Sequence, residues 1–453
     1  MCNASVPLLA VALFSLPAWS QAPLSLKDAV RIALAGNRSI ASAAASNDAA
    51  AAGVALAHSG MLPKVNYSES FARSDNPVFV FSSLLTQHQF ATENFQVDPL
   101  NRPDFLNNFQ SSLTVDQPLY DAGKTRRAVH SAELAKDISL QDSRRTQMDV
   151  IVSVVRSYSD AQLSADQLSS TVQSLRSVEA DLDRAQSRLT AGMATDADVL
   201  SIRVHLAALR EEQIRRSADL DIARATLNDA LGQPLDTDYT LITALSPLVL
   251  LPLTAPPATL AAYEQKGAAE RPEALQLNAA KDLASTNLAD ARGNLLPQVA
   301  LRGAFEADRQ RFYDRGGANW LVSIGLRWNL FNGFSDKARI EESQAALRRS
   351  AAEQERGNSA IRLQVRRAWA ELRAAQQRID TAKAAEAEAQ ESLRISQNRY
   401  EAGLSTVTDL LRVETALLET RTRSLAAVRD QRLAAAALER AAGTLTFDSE
   451  VLN

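Results

Sequence analysis

Two short stretches restrict the fold of this chain more than any others. One runs Arg188-Leu189-Thr190-Ala191-Gly192-Met193-Ala194-Thr195-Asp196-Ala197-Asp198-Val199-Leu200, the other Arg399-Tyr400-Glu401-Ala402-Gly403-Leu404-Ser405-Thr406-Val407-Thr408-Asp409-Leu410-Leu411. Each sets an Ala-Gly break between long, charge-laced segments that lack Pro. Gly takes the left-handed conformation that ends a helix without a steric penalty. The Ser or Thr and Asp that follow supply an N-cap and first-turn negative charge for a returning helix. Both stretches therefore read as tips of helical hairpins, and two matching tips in one chain mean an internal duplication.

The offset confirms it. The tip glycines lie 211 positions apart (403 − 192), and so do Leu119-Tyr120-Asp121 and Leu330-Phe331-Asn332 (330 − 119). Leu62-Pro63 and Leu296-Pro297 are 234 apart (296 − 62), so the first copy carries 23 extra residues (234 − 211) between Pro63 and Leu119.

Met1 to Ala22 reads as a secretory signal: an apolar run, Val6 to Leu16, precedes small residues at Ser20 and Ala22, with cleavage expected after Ala22. It lacks the usual basic residue ahead of the apolar run. Cys2, the one cysteine of the 453 residues, falls within it, so the mature chain needs no disulfide. No other stretch approaches the roughly 18–20 apolar residues of a spanning helix. A membrane span here would have to be made of strands.

The first repeat, 23–232, begins with Ala-rich helices over Leu26–Gly36 and Ser39–Gly60. The period then shifts to two, with Val65, Tyr67 and Phe71 alternating with polar or small residues, and again with Phe109, Leu113, Val115 and Leu119. These predict strands over about 64–74 and 109–120, bracketing a Phe-rich loop, Asp75 to Asn108. That loop reads as local packing over the end of the sheet, or as a plug or partner site. A helical tract from Lys124 to Ala191 follows, about 100 Å long at roughly 1.5 Å per residue. The returning helix, Asp196 to Ala230, stops at Gly232-Gln233-Pro234.

A Pro- and Leu-rich connector, 233–257, leads to the second repeat, 258–443. Its expected parts are helices over Leu260–Lys266 and Pro272–Leu295, strands over about 298–307 and 319–331, a long helix from Asp336 to Ala402, and a last helix to Gly443. The tail, 444–453, carries no signal. Trp320, Val322, Ile324, Leu326, Trp328 and Leu330 form one strand face. Trp320 and Trp328 would stand roughly 26 Å apart at about 3.3 Å per residue, suited to aromatic girdles at two membrane interfaces. The pattern alone also fits a small soluble sheet with one face on the helices. Four strands cannot close a barrel, so a barrel needs several chains: two give eight strands, three give twelve.

Taken together, the duplicated plan, the Leu-Pro steps, the Ala-Gly tips and two strand-to-helix corners resemble the outer-membrane efflux protein family, the TolC-like exit ducts. The corners read Gln117-Pro118-Leu119-Tyr120-Asp121-Ala122-Gly123 and Trp328-Asn329-Leu330-Phe331-Asn332-Gly333. The resemblance spans Leu26 to about Gly443. It implies a mainly α fold with a transmembrane β portion: a duplicated β-barrel plus a long α-helical barrel, closed only as a homotrimer with twelve strands, four per chain. It implies residence in the outer-membrane lipid with a tunnel reaching through the periplasm, and a passive exit duct served by a periplasmic adaptor and an inner-membrane pump. Matching the docking motif are Arg188, Leu189, Ala191, Gly192 and Met193 on one tip and Ala402, Gly403 and Leu404 on the other. By register from the tip glycines, Tyr400 matches the gate tyrosine, Asp198 its carboxylate partner and Asp409 the first ring aspartate. The gate arginine falls on Ser405 and the second ring aspartate on Arg412. Asp198 and Asp409 also read as plain first-turn helix-dipole partners.

Other chemistry finds no support. Gly123-Lys124-Thr125 ends like a phosphate loop, but Pro118 stands where its first glycine belongs. His58, His88, His130 and His205 have no metal-ligand spacing, and no nucleophile–base signature appears, so no catalytic residue, cofactor or metal is expected. Net charge is −4 with scattered Lys and Arg, which argues against nucleic acid. Two rivals stay open: a duct serving a type I protein-secretion system, and a pore-less periplasmic coiled-coil scaffold or adaptor, which would have no use for the four alternating strands.

Overall fold

The computed structural model describes residues 22–248 and 259–452. All but the last residue of the expected signal segment, and 249–257 of the expected connector, lie outside them. The first copy comprises β1 (Ala22–Leu24), α1 (Leu26–Gly36), α2 (Arg38–His58), β2 (Lys64–Ser74), α3 (Pro77–Thr86), α4 (Val97–Asn101) and β3 (Leu106–Tyr120). The long hairpin α5 (Lys124–Thr190) and α6 (Asp196–Leu231) completes it, followed by β4 (Tyr239–Leu241). The second copy runs α7 (Leu260–Glu270), α8 (Pro272–Gly293), β5 (Gln298–Arg309), β6 (Gly317–Arg327), α9 (Ser335–Glu401) and α10 (Val407–Ala442).

The long helices match between copies. α5 and α9 each have 67 residues, and α6 and α10 each have 36. Their buried residues recur at alternate spacings of four and three: Ile361, Val365, Ala368, Leu372, Ala375 and Ile379 on α9, and Met148, Ile151, Val155 and Tyr158 on α5. This is the 3.5-residue repeat of supercoiled helices, which explains how helices about 100 Å long stay packed. At the entry to α5, Asp121 accepts from the backbone N–H of Gly123 (3.0 Å) and Thr125 (2.7 Å), satisfying two donors that the helix leaves free. The Gly-Lys-Thr triplet is thus a strand-to-helix corner.

β2, β3, β5 and β6 form one antiparallel sheet in that order, with β2 and β6 as open edges. β3 begins at Leu106 and β6 ends at Arg327, against expected limits of 109 and 331. The ladder ends there because its partner strand begins at Gln298, after Pro297, which has no N–H to pair; just beyond, the Trp328 indole N–H donates to the Leu295 carbonyl at 3.0 Å. The expected loop Asp75–Asn108 holds α3 and α4. Asn76 caps α3, accepting from Val78 and Phe79 N–H at 3.0 and 3.2 Å, and Pro77 stands at its first position.

The main core lies midway along the helices. Leu24, Leu26 and Val30 from the start of the chain meet Val154, Val155 and Tyr158 of α5, Leu231, Trp369 and Leu372. The tail belongs to it too, through Leu445, Val451 and Leu452. Tyr158 is fully buried; its hydroxyl donates to the Leu24 carbonyl (2.8 Å) and accepts from Thr243 N–H (3.0 Å). β1 and β4 pair in parallel beside it. Sequence patterns show neither strand, because three-residue strands are too short to show a period.

Candidate functional site

Two parts of the fold bear on function: the sheet at one end and the hairpin tips at the other. In the sheet, pairing fixes which side chains share a face. Tyr67 stands opposite Leu113, Leu113 opposite Phe305 and Phe305 opposite Trp320, one row across all four strands. Val65, Val115, Val322, Ile324 and Leu326 share that face. Trp320 is 78 % exposed and Trp328 55 %, with Val322, Ile324 and Leu326 exposed between them. The opposite face carries Asn66, Ser68 and Ser70 on β2, Gln110, Ser112 and Thr114 on β3, and Arg302 and Glu306 on β5. A monomeric soluble protein rarely exposes so large an apolar surface. Its alternation with a polar face is that of a barrel with lipid outside and water inside. Among the described residues no helix is long and apolar enough to cross a membrane.

At the tips, Gly192 and Gly403 have φ of +76° and +73°, and both helices close on them. Each returning helix starts with the same reciprocal cap. Thr195 Oγ1 donates to Asp198 Oδ2 (2.8 Å) and accepts from Asp198 N–H (3.3 Å); Thr406 and Asp409 repeat this at 2.7 and 3.2 Å. Arg188 ties the hairpins together: its Nη1 donates to the Tyr400 carbonyl at 2.8 Å, and its guanidinium lies 5.2 Å from the Tyr400 ring centre. Arg184 reaches Glu401 at 3.1 Å and also pairs with Asp181.

Sequence comparison agrees with this architecture. A family model described as outer membrane efflux protein matches residues 29–233 and 265–444. The chain belongs to the outer membrane efflux protein family. Protein CyaE of Bordetella pertussis is 27 % identical over 355 residues, covering 76 % of this chain and 72 % of that one. The alkaline protease secretion protein AprF of Pseudomonas aeruginosa is 24 % identical over 337 residues, 72 % of this chain and 65 % of that one. In fold, a crystal structure of CusC superposes with a TM-score of 0.78 over 98 % of this chain and 99 % of the other, at 18 % identity.

Of the tip residues matched to this family's docking motif, Ala191, Gly192, Met193, Ala402, Gly403 and Leu404 are exposed, while Arg188 and Leu189 are half-buried. Tyr400 is half-buried; burial raises its phenol above the ordinary range, Arg188 opposes that and Asp198 adds to it. The Asp198 and Asp409 carboxylates are both engaged by their capping threonines. The Thr406 hydroxyl and N–H hold Asp409 below the usual carboxylate range.

Three charged residues at the tip escaped the sequence reading. Asp181 and Glu414 are 2 % and 7 % exposed and lie within hydrogen-bonding reach of each other where α5 meets α10; Arg184 joins them to α9. Burial, with Asp181 adding to it, pushes Glu414 up to about 8. One oxygen of each carboxyl has no partner among the described residues. Nothing in the sequence separates them from neighbours such as Asp183, which is exposed. Among the described residues no group of His, Cys, Asp and Glu could hold a metal ion.

Proposed function

We propose that this chain is the outer-membrane exit duct of a tripartite export system, carrying substrate passively from an inner-membrane pump and periplasmic adaptor to the outside. The observation that carries the reading is the sheet. Its apolar face is exposed between two tryptophan levels, its opposite face is polar, and both edges are open. Three copies bring the sheet to twelve strands, with the polar face lining water, and extend it into a helical tunnel about 100 Å long.

The tips are the periplasmic end in this reading. Met193 and Leu404, exposed beside Gly192 and Gly403, offer the adaptor an apolar contact, flanked by Arg188, Leu189, Ala191 and Ala402. Tyr400, Asp198 and Asp409 form the gate region, with closure aided by Arg184 and Arg188. Adaptor binding opens the tip by contacting the splayed arrangement better than the closed one. Trp320 and Trp328 mark the two membrane interfaces.

Single-channel recording of the purified protein in a planar bilayer tests the duct. Discrete low-conductance openings are the expected result; a protein that extracts without detergent and never inserts refutes it in favour of a coiled-coil scaffold. The match to AprF, a protease secretion protein, favours a second reading, in which the same duct serves polypeptide export.

A further inference from the structure

The extra residues of the first copy have an ordered place on the sheet. Their helix α3 ends against the polar face, at the β5–β6 end. Gln87 Nε2 donates to the Asn107 carbonyl (3.0 Å) and to Asn108 Oδ1 (2.8 Å); Asn108 Nδ2 in turn donates to Asp308 Oδ1 (2.7 Å). Asn319 Nδ2 donates to the Thr86 carbonyl at 3.2 Å. By register Asn108, Asp308 and Asn319 all stand on the polar face, so α3 is tied down there at three strands. Gln87 and Asp308 are each 1 % exposed, an unusual burial for a carboxylate without an ion pair among the described residues. A Cβ on Gly317 would stand 2.1 Å from the Thr86 carbonyl, so the approach of α3 requires glycine there.

Above this latch the segment has its own small core: Phe81, Phe90 and Phe95 stack edge to face at 4.8 and 5.0 Å, over buried Val80 and Leu106. A solvated loop has no need of such a core.

We propose that α3 and its aromatic core form a lid that closes the outer mouth of the duct, latched to the lumen wall by Gln87, Asn108 and Asp308. The proposal rests on the duct reading. Twelve strands about 4.8 Å apart and tilted about 40° make a barrel roughly 24 Å across at the backbone. Three lid helices, each about 10 Å thick with side chains, leave no wide water path through it. The duct then has closures at both ends, and export requires this latch to break as well as the tip to open.

The test places a reporter cysteine, Asn66→Cys, on the polar face one row deeper than Asn319, in a Cys2→Ser background. Intact cells are treated with a small thiol reagent or with a maleimide on a polyethylene glycol too large to pass a narrow opening. With the lid intact, the small reagent labels and the large one does not. Gly317→Val, which evicts α3 sterically, and Asp308→Ala, which breaks the latch without adding bulk, each raise labelling by the large reagent at least tenfold. Trimer migration on unheated gels confirms assembly of both variants. Equal, fast labelling by the large reagent with the lid intact overturns the lid and leaves the duct standing. No labelling by either reagent in any variant overturns the aqueous lumen itself, and the lid with it.

Discussion

The Asp181–Glu414 contact makes the tip sensitive to pH in a direction that can be worked out. Glu414 rises from an ordinary 4.5 to about 8, chiefly through burial and next through Asp181. A carboxyl whose pKa is raised by packing keeps its full stability below about 4.5. It loses that stability progressively as pH climbs, until the folded form also ionises near 8. At about 1.4 kcal/mol per pH unit the interval sets a ceiling of roughly 5 kcal/mol on the weakening of the α5–α10 contact. Water entry and the nearby Arg184 reduce this, because helices that separate slightly rehydrate the charge. His205 on α6 lines the same groove, where burial lowers its pKa from the ordinary value, and Arg394 on α9, paired with Glu391, has its pKa raised. The assay is amide hydrogen exchange along α10, corrected for intrinsic rates, between pH 6 and 9. In the unaltered protein, protection around Glu414 falls by roughly 10-fold, and at most about 100-fold because only pH 6 to 8 lies below the folded pKa, while the core near Tyr158 keeps its protection. Glu414→Gln, neutral throughout, gives a flat profile. If the Gln variant loses protection with the same slope, the carboxyl pair is not the cause and the reasoning fails.

Three further predictions follow from single contacts. Arg188→Ala removes the hydrogen bond to the Tyr400 carbonyl and the contact with its ring; channel open probability in a planar bilayer should rise severalfold, with Arg188→Lys intermediate because it keeps the charge but loses the planar fork. Tyr158→Phe leaves the Thr243 N–H without its partner in the core, while the Leu24 carbonyl still accepts from the Ile242 N–H; a loss of about 1–3 kcal/mol is expected as a lower Tm in detergent, and an unchanged Tm would show that water replaces the hydroxyl. Gly403→Ala meets only the Arg188 guanidinium, at an ordinary contact distance of 3.9 Å, but must hold φ near +73°; the cost is about 1 kcal/mol, seen as faster exchange confined to the tip and weaker adaptor cross-linking.

The large plan of this protein is written locally. One offset, kept by the tips and the strand-to-helix corners, reports two copies of one unit, and the helices keep to it with equal lengths. Period-two alternation marks the strands, and Thr195 and Thr406 mark the returning helices, because these signals depend on neighbours within a turn or two of chain. Even helix α3 has a local cue in Asn76-Pro77, set among the phenylalanines of a long connecting stretch. What no local pattern could decide is which polar residues lose water. Asp181 and Glu414, Arg184 and Glu401, and Asn108 and Asp308 meet across 200 or more residues. In sequence these are ordinary charged or amide positions on helices and strands full of them. Their burial depends on which face of α5 turns toward α9 and α10, and on how α3 folds back onto the sheet. Only the packed structure determines that, since desolvation is a property of the surroundings and not of the residue.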